Sequence, residues 1–288
     1  MRVFLLGGTG SIGTPVLREL IRRGHEVVAL ARSHTSTITL ERQGATVLRG
    51  DMAASQGWIP ALPAVDGVIH LACDFASEME AIDRALLDAL LPHLARQPGK
   101  ARFLYTGGCW LFGATGDRVA TEDTPFEPLA AFAWMVPHLQ RVLASDDIEG
   151  IVVHPAMVYG GEGGVFRRFA RDARSGAVRV VGDEAVRWPL VHCDDLAKLY
   201  VLALEAAPGR SSYIGTAVDG MPVGRLARAF DAPDILTLPA DAIAAELGEW
   251  ARGYACDQQL SGARARQELG WQPMHLDPIA DIHQWLRQ

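Results

Sequence analysis

The chain has 288 residues, 49% of them apolar and 21% charged, with a formal net charge of −7. That length supports a large core, as one doubly wound domain or as such a domain plus a smaller lobe. The sequence shows no basic stripe, which excludes nucleic acid as a partner, and no apolar run approaches membrane-spanning length. Cys73, Cys109, Cys193 and Cys256 are scattered without metal-type spacing. No metal is therefore expected, and reduced thiols in a cytoplasm fit that usage. The first strand is expected from Arg2, and with it no secretory leader is expected.

The apolar run Val3-Phe4-Leu5-Leu6 leads into Gly7-Gly8-Thr9-Gly10-Ser11-Ile12-Gly13. A helix is predicted over Ile12–Arg23, with Val16, Leu17, Leu20 and Ile21 on one face. This order of strand, glycine turn and helix suits the pyrophosphate of a dinucleotide. The glycines let the backbone approach the phosphates, and the free N–H groups at the positive end of the helix face the anion. A glycine triplet alone is weak evidence in a chain with 29 glycines; its context on both sides makes it specific. Further strands are predicted near Glu26–Leu30, Thr46–Leu48, Gly67–Leu71, Arg102–Thr106 and Ile151–His154, with helices over Ser77–Ala95 and Ala131–Ala144. That alternation predicts a parallel sheet covered on both faces. After Gly160 the rhythm loosens. A turn at Glu162-Gly163-Gly164 precedes a helix over Val165–Ser175, a strand over Val178–Val181 and a helix over Asp194–Ala206. Helices over Pro222–Phe230, Asp241–Glu249, Asp257–Leu269 and Pro278–Leu286 complete the tail. The expected division is a cofactor domain over 1–160 and a substrate-binding lobe over 161–288, with a segment near 187–206 returning to the first domain.

Several short stretches recur in a familiar order: the glycine loop Gly7-x-x-Gly10-x-x-Gly13, Gly50-Asp51, His70-Leu71-Ala72 and Tyr105-Thr106-Gly107-Gly108. Leu111-Phe112-Gly113, Val158-Tyr159-Gly160 and Val191-His192-Cys193-Asp194-Asp195-Leu196-Ala197 follow. Each is unspecific alone; together the chain resembles the extended short-chain dehydrogenase/reductase family, with its sugar-nucleotide epimerases and dehydratases. The resemblance implies an α/β Rossmann-type doubly wound parallel sheet with a smaller C-terminal substrate-binding lobe. It assigns the pyrophosphate to Gly7, Thr9, Gly10, Ser11, Ile12 and Gly13, and the adenine to Asp51 and Met52. Leu71, Ala72 and Cys73 would line the inner ribose side, with Thr106 at the nicotinamide. The plain alternative for Asp51 is to cap the next helix, and His192 with the Asp pair is expected to start one. At the end of the second strand, Ala29-Leu30-Ala31-Arg32-Ser33 lacks the acid that an NAD enzyme uses on its ribose hydroxyls. Arg32 and Ser33 offer donors to a 2′-phosphate instead, so NADP(H) is the expected cofactor; the plain alternative is a solvent-facing arginine.

The family's redox chemistry rests on Tyr-x-x-x-Lys with a Ser or Thr, and this chain has no such motif. Its only lysines are Lys100 and Lys198, preceded four residues earlier by Arg96 and Asp194. The frame of that helix matches Phe132-x-x-x-Val136-x-x-x-Gln140, so the ring is kept while the hydroxyl and the lysine are lost. Pro137 restricts Val136, so the helix starts late or kinks there. The serine position falls on Gly108. Loss of a positioned acid or base costs about 10²–10⁴ in rate, so the standard mechanism does not carry over. Candidate substitutes are Thr106, Cys109, His138 and Tyr159, each with a structural alternative: a small buried thiol for Cys109, a capping or surface histidine for His138, a packed wall for Tyr159. Trp134 and His138, four apart, would share a helix face. Asp74, Trp110, Trp134 and Arg187 are the substrate-side candidates, Arg187 because Gly182-Asp183-x-x-x-Arg187-Trp188-Pro189 resembles the stretch that holds a diphosphate. The aromatic supply also suits a compact apolar metabolite.

Three functions remain open at this level: an NADP(H)-dependent oxidoreductase or epimerase-like enzyme on a small molecule, a non-catalytic NADP(H) sensor or regulatory protein, and a non-redox isomerase or lyase on the same scaffold. Family members often pair through helices equivalent to 77–95 and 131–144, so a homodimer is one expectation, although Pro92 and Pro137 lie within them.

Overall fold

A computed structural model of the chain describes residues 1–74, 78–161 and 164–287. The expected turn at Glu162–Gly164 and the expected helix start at Ser77 fall wholly or partly outside those described residues. The first six strands are β1 (Arg2–Leu6), β2 (Glu26–Ala31), β3 (Thr46–Arg49), β4 (Gly67–His70), β5 (Arg102–Thr106) and β6 (Glu149–Pro155). The other six are β7 (Met157–Tyr159), β8 (Ala177–Val181), β9 (Arg187–His192), β10 (Ser211–Gly215), β11 (Val218–Pro222) and β12 (Asp234–Leu238). The central sheet has seven strands in the order β10-β6-β5-β4-β1-β2-β3. β1 pairs in parallel with both β2 and β4, through Val3↔Val27 and Val3↔Gly67. The order reverses at β1, and in such sheets ligands bind beyond the carboxyl ends of the strands at that reversal. Smaller sheets join β11-β9-β7 and β12-β8.

The first five helices are α1 (Gly13–Arg22), α2 (His34–Arg42), α3 (Met79–Ala95), α4 (Met135–Ala144) and α5 (Phe166–Arg174). They are followed by α6 (Cys193–Ala206), α7 (Val223–Arg228), α8 (Ala240–Leu247), α9 (Ala263–Leu269) and α10 (Pro278–Leu286). Val16, Leu17 and Leu20 of α1 are completely buried, as their spacing predicts. No helix among the described residues is long and apolar enough to cross a membrane.

By internal packing the chain forms two compact units. The first comprises Met1–Gly107, Pro137–Val153 and Ala197–Ser212; the second comprises Gly108–Val136, His154–Leu196 and Tyr213–Gln288. Each is therefore assembled from three separate stretches. Two expected helices differ. The one expected over Ala131–Ala144 begins as a single 3₁₀ turn at Ala130–Phe132, and α4 itself starts only at Met135. Pro137 sits in its first turn, where a missing N–H costs nothing. The helix expected over Asp257–Leu269 forms only from Ala263. The residues before it are extended: the Gln258 N–H donates to the Arg187 carbonyl at 2.9 Å and the Leu260 N–H to the Asp219 carbonyl at 2.9 Å. Strand-type partners hold those N–H groups, so no helical turn can use them.

Candidate functional site

The cradle lies in the first unit. Gly7, directly after β1, has φ +83°, and a Cβ there would stand 2.7 Å from the Ala72 nitrogen. The glycine turn is thus pressed against the segment that leaves β4. A Cβ on Gly13 would stand 1.9 Å from the Gly7 carbonyl oxygen, so only glycine lets α1 begin this close to the turn. The Gly10 N–H donates to the Gly7 carbonyl at 3.0 Å, and the Gly10 carbonyl accepts from Thr14 N–H at 3.0 Å. Thr9 and Ser11 are exposed at the rim. α1 carries no acid in its first turn and no side-chain cap at Ile12, an arrangement open to an anion.

Arg32 is exposed at the end of β2 and makes no hydrogen bond or ion pair with any described residue. Ser33 is occupied: its hydroxyl accepts from Ser36 N–H at 3.1 Å and starts α2. Asp51 caps the 3₁₀ turn Met52–Gly57, its Oδ1 accepting from Ala53 N–H at 3.0 Å. Leu71 and Ala72 are half-buried, while Cys73 and Asp74 are exposed.

At the carboxyl end of β5 the Thr106 hydroxyl lies 2.8 Å from the Tyr200 hydroxyl of α6. Tyr200 is fully buried, and that burial raises its pKa. Below this pair, buried Asp83 of α3 collects three partners: His70 Nε2 at 2.6 Å, Tyr105 Oη at 2.7 Å and His138 Nδ1 at 2.7 Å. Burial works against the Asp83 charge, but the His70 charge and the hydrogen bonds from His138, His70 and Tyr105 outweigh it and hold the carboxyl well below its ordinary range. His138 is neither a cap nor a surface residue; it is buried on this carboxylate.

In the second unit Cys109 is buried, and desolvation followed by Cys256 pushes its thiol up to about 12. Gln258 fixes the loop that carries it, donating to the Cys109 carbonyl at 2.8 Å and the Gly113 carbonyl at 2.6 Å. Gly108, the vacated serine position, hydrogen-bonds through its backbone to His154, whose pKa burial lowers to about 4. Tyr159 Oη donates to Asp281 Oδ2 at 2.8 Å, and burial with that carboxylate raises its pKa. Trp134 lies in the turn before α4, not on the helix, with its indole N–H on the Ala131 carbonyl at 3.1 Å. Arg187 spends its charge internally, with Nε 2.9 Å and Nη2 2.6 Å from the two oxygens of Asp257 and Nη1 3.1 Å from Asp117. His192 opens α6 by accepting from Asp194 N–H at 3.2 Å, and its ring stacks on His275 with centroids 3.7 Å apart.

Sequence reasoning missed Asp83, Tyr200 and Asp281. Asp83 left a readable sign, since it continues the stripe Leu86, Leu87, Leu90 and Leu94, all buried. Tyr200 likewise sits in the apolar run of α6. Asp281 left none, because its partner is 122 residues away.

A reversing parallel sheet with a glycine cradle at its switch point defines the class: a dinucleotide-binding α/β protein of the extended short-chain dehydrogenase/reductase type. A profile of the NAD dependent epimerase/dehydratase family matches residues 3–215, and the chain belongs to that family. An uncharacterised protein of Saccharomyces cerevisiae is 31% identical over 299 residues, covering 98% of both chains. A 3-diazoavenalumate denitrifying reductase of a Streptomyces species is 30% identical over 315 residues, covering 96% of this chain and 97% of its own. The solved structure of human epimerase family protein SDR39U1 with NADPH shares the fold, with a TM-score of 0.80 at 22% identity over 99% of this chain and 98% of that one. At this level the chain stands among enzymes of nicotinamide dinucleotides that act on small molecules.

Proposed function

We propose that this chain is an NADP(H)-dependent reductase, dehydrogenase or epimerase-like enzyme of a small metabolite, with a non-standard proton donor. The observation that carries the reading is Arg32: an exposed, unpaired guanidinium at the end of the strand that follows an intact glycine cradle. A charge-assisted contact from it to a 2′-phosphate is worth about 1.5–3 kcal/mol, or ten- to a hundred-fold in affinity. The residues fit the cofactor, since Gly7 and Gly13 let the turn pack backbone to backbone against the start of α1 and the segment after β4, which leaves the uncapped N-terminus of α1 open to an anion, and Arg32 awaits a partner. Gly7 to Gly13 would hold the pyrophosphate, Asp51 and Met52 the adenine side, and Leu71 to Cys73 the inner ribose. When bound, the nicotinamide supplies or accepts a hydride.

Among the four acid–base candidates, Thr106 has the most suitable surroundings. His138 is committed to Asp83, Tyr159 to Asp281, and Cys109 holds its proton in an apolar site. Thr106 is half-exposed, and the buried Tyr200 phenol behind it retains its proton. The Thr106 hydroxyl can therefore give a hydrogen bond to a substrate oxygen while accepting one from Tyr200. A second reading, a non-catalytic NADP(H) sensor, draws on Phe132, Val136 and Gly108, which leave the family's three catalytic positions without a proton-transferring side chain.

Calorimetric titration with NADPH and NADH tests the first step. NADPH is expected to bind at least about ten-fold more tightly, and Arg32→Ala to remove that preference while leaving NADH unchanged. Equal affinities, or an Arg32→Ala protein that still prefers NADPH, would sink the assignment. Hydride exchange across a carbonyl panel then separates the enzyme from the sensor.

A further inference from the structure

Most polar tips of the tyrosines and tryptophans are used. Tyr105, Tyr159, Tyr200 and Tyr213 hydrogen-bond Asp83, Asp281, Thr106 and Glu268. Trp58, Trp134, Trp188 and Trp271 each place the indole N–H on a carbonyl oxygen at 2.8–3.1 Å. Tyr254 is the one tyrosine whose hydroxyl bonds no described residue, and the N–H groups of Trp110 and Trp285 bond none either; of these two indoles, Trp110 meets Tyr254. Trp110 and Tyr254 meet edge to face, with ring centroids 5.9 Å apart.

They belong to one panel within the second unit. Trp110 tilts by 40° against Phe132 at 5.3 Å and by 34° against Trp250 at 6.2 Å, so three rings fan at similar angles. The indole of Trp110 rests on bare backbone, since a Cβ on Gly253 would fall 2.2 Å from its Cε2. Trp110 and Trp250 are only half-buried. Behind Tyr254, the guanidinium carbon of Arg168 stands 4.8 Å from the ring centroid, and its Nε and Nη2 are buried without a partner. An indole N–H and a phenol O–H that bond no described residue and stay within reach of solvent, set beside a fan of half-buried rings, suit a flat ligand with oxygen acceptors. The diphosphate of a nucleotide sugar finds no free cation at Arg187, which Asp257 and Asp117 already neutralise.

We infer that Trp110, Phe132, Trp250 and Tyr254 form the binding panel for a planar aromatic substrate bearing a carbonyl oxygen, an aryl carbonyl compound. The inference rests on the reductase reading above and names its substrate class.

The test is calorimetric titration of the full chain, saturated with NADP⁺, using 4-hydroxybenzaldehyde, cyclohexanecarbaldehyde and UDP-glucose. The aromatic aldehyde is expected to bind at least about ten-fold more tightly than either competitor. Tyr254→Phe keeps the ring and removes one donor, while Trp110→Phe keeps an aromatic ring but removes the indole N–H and part of the packed surface, so each should weaken 4-hydroxybenzaldehyde about three- to ten-fold without altering NADP⁺ affinity. Equal or tighter binding of cyclohexanecarbaldehyde or UDP-glucose overturns the inference. So does an aromatic affinity indifferent to both variants, or no binding of the aromatic aldehyde at all. If NADP⁺ fails to bind while the aldehyde follows the expected pattern in its absence, the cofactor reading falls and the panel stands.

Discussion

Gly13 is the residue where the sequence allows least freedom. An alanine Cβ would lie 1.9 Å from the Gly7 oxygen and 2.8 Å from the Gly7 carbonyl carbon. Both are backbone atoms, so neither can swing aside as a flexible side chain would. Gly13→Ala must push the turn away from α1, which is expected to cost about 1–3 kcal/mol of stability and to weaken NADPH by about ten-fold or more. Thermal melting and titration read the two effects separately; a variant that binds NADPH as the native chain does would contradict the cradle geometry. This residue was legible because everything it touches lies within seven positions along the chain. Arg187 shows the opposite case. Its spacing suggested an anion site, but its carboxylate partners, Asp117 and Asp257, each stand 70 residues away, where no local pattern reaches. Trp110 and Tyr254 stand between the two cases: composition suggested an aromatic pocket, yet which polar tips stay unbonded is a tertiary property.

Helices α3 and α4 and strands β4 and β5 each contribute one polar residue to a point that periodicity alone assigns to apolar core. Asp83 and Leu94 occupy the same buried stripe of α3, and the sequence shows the polar residue without showing what answers it. Three partners from three elements do so, and the assembly is anionic at its centre. The folded Asp83 carboxyl titrates below its unfolded value of about 3.9. Its stabilisation is therefore fully present above about pH 4 and is lost as pH falls through the folded value. Asp83→Asn leaves His70 and His138 without their carboxylate, so a loss of about 3–5 kcal/mol at neutral pH is expected. The variant should also lose part of the native chain's acid sensitivity, because asparagine takes up no proton. Urea unfolding at neutral pH and below pH 4 measures both. A neutral-pH stability equal to native, or an unchanged acid slope, would show that the charge is not ionised in the fold. Elements with regular apolar spacing, such as α1 and α10, were legible. α2 was not, since its residues His34-Thr35-Ser36-Thr37 show no stripe and only Leu40 is buried. Its start depends on the Ser33 cap.

At the scale of the whole molecule, the sequence suggests a boundary near residue 160 with a segment near 187–206 returning to the first domain, and by internal packing Ala197–Ser212 belong to the first unit. That stretch is built deeply into the first unit. Leu199, Tyr200, Val201 and Leu204 are completely buried, and a Cβ on Gly67 would stand 2.6 Å from Leu204 Cδ1. Arg102 donates to the Ala203 carbonyl at 3.3 Å and to that of Ala207. Glu205 pairs with Arg23 at 2.6 Å and His25 at 2.9 Å. Burying four such side chains is worth about 1.5–3 kcal/mol each, comparable with the total of about 5–15 kcal/mol that keeps a typical domain folded. A polypeptide ending at Gly160 keeps every residue of the cradle and Arg32, yet it exposes the faces of β4 and β5 that α6 covers and leaves Thr106 without Tyr200. It is expected to lack a cooperative melting transition and to bind no NADPH, although the glycine loop is intact. The full chain should gain about 2.7 kcal/mol of stability at NADPH concentrations a hundred-fold above Kd. A 1–160 fragment that melts cooperatively and is stabilised by NADPH would mean that the cofactor unit folds on its first segments alone, with the 197–212 stretch merely resting against it.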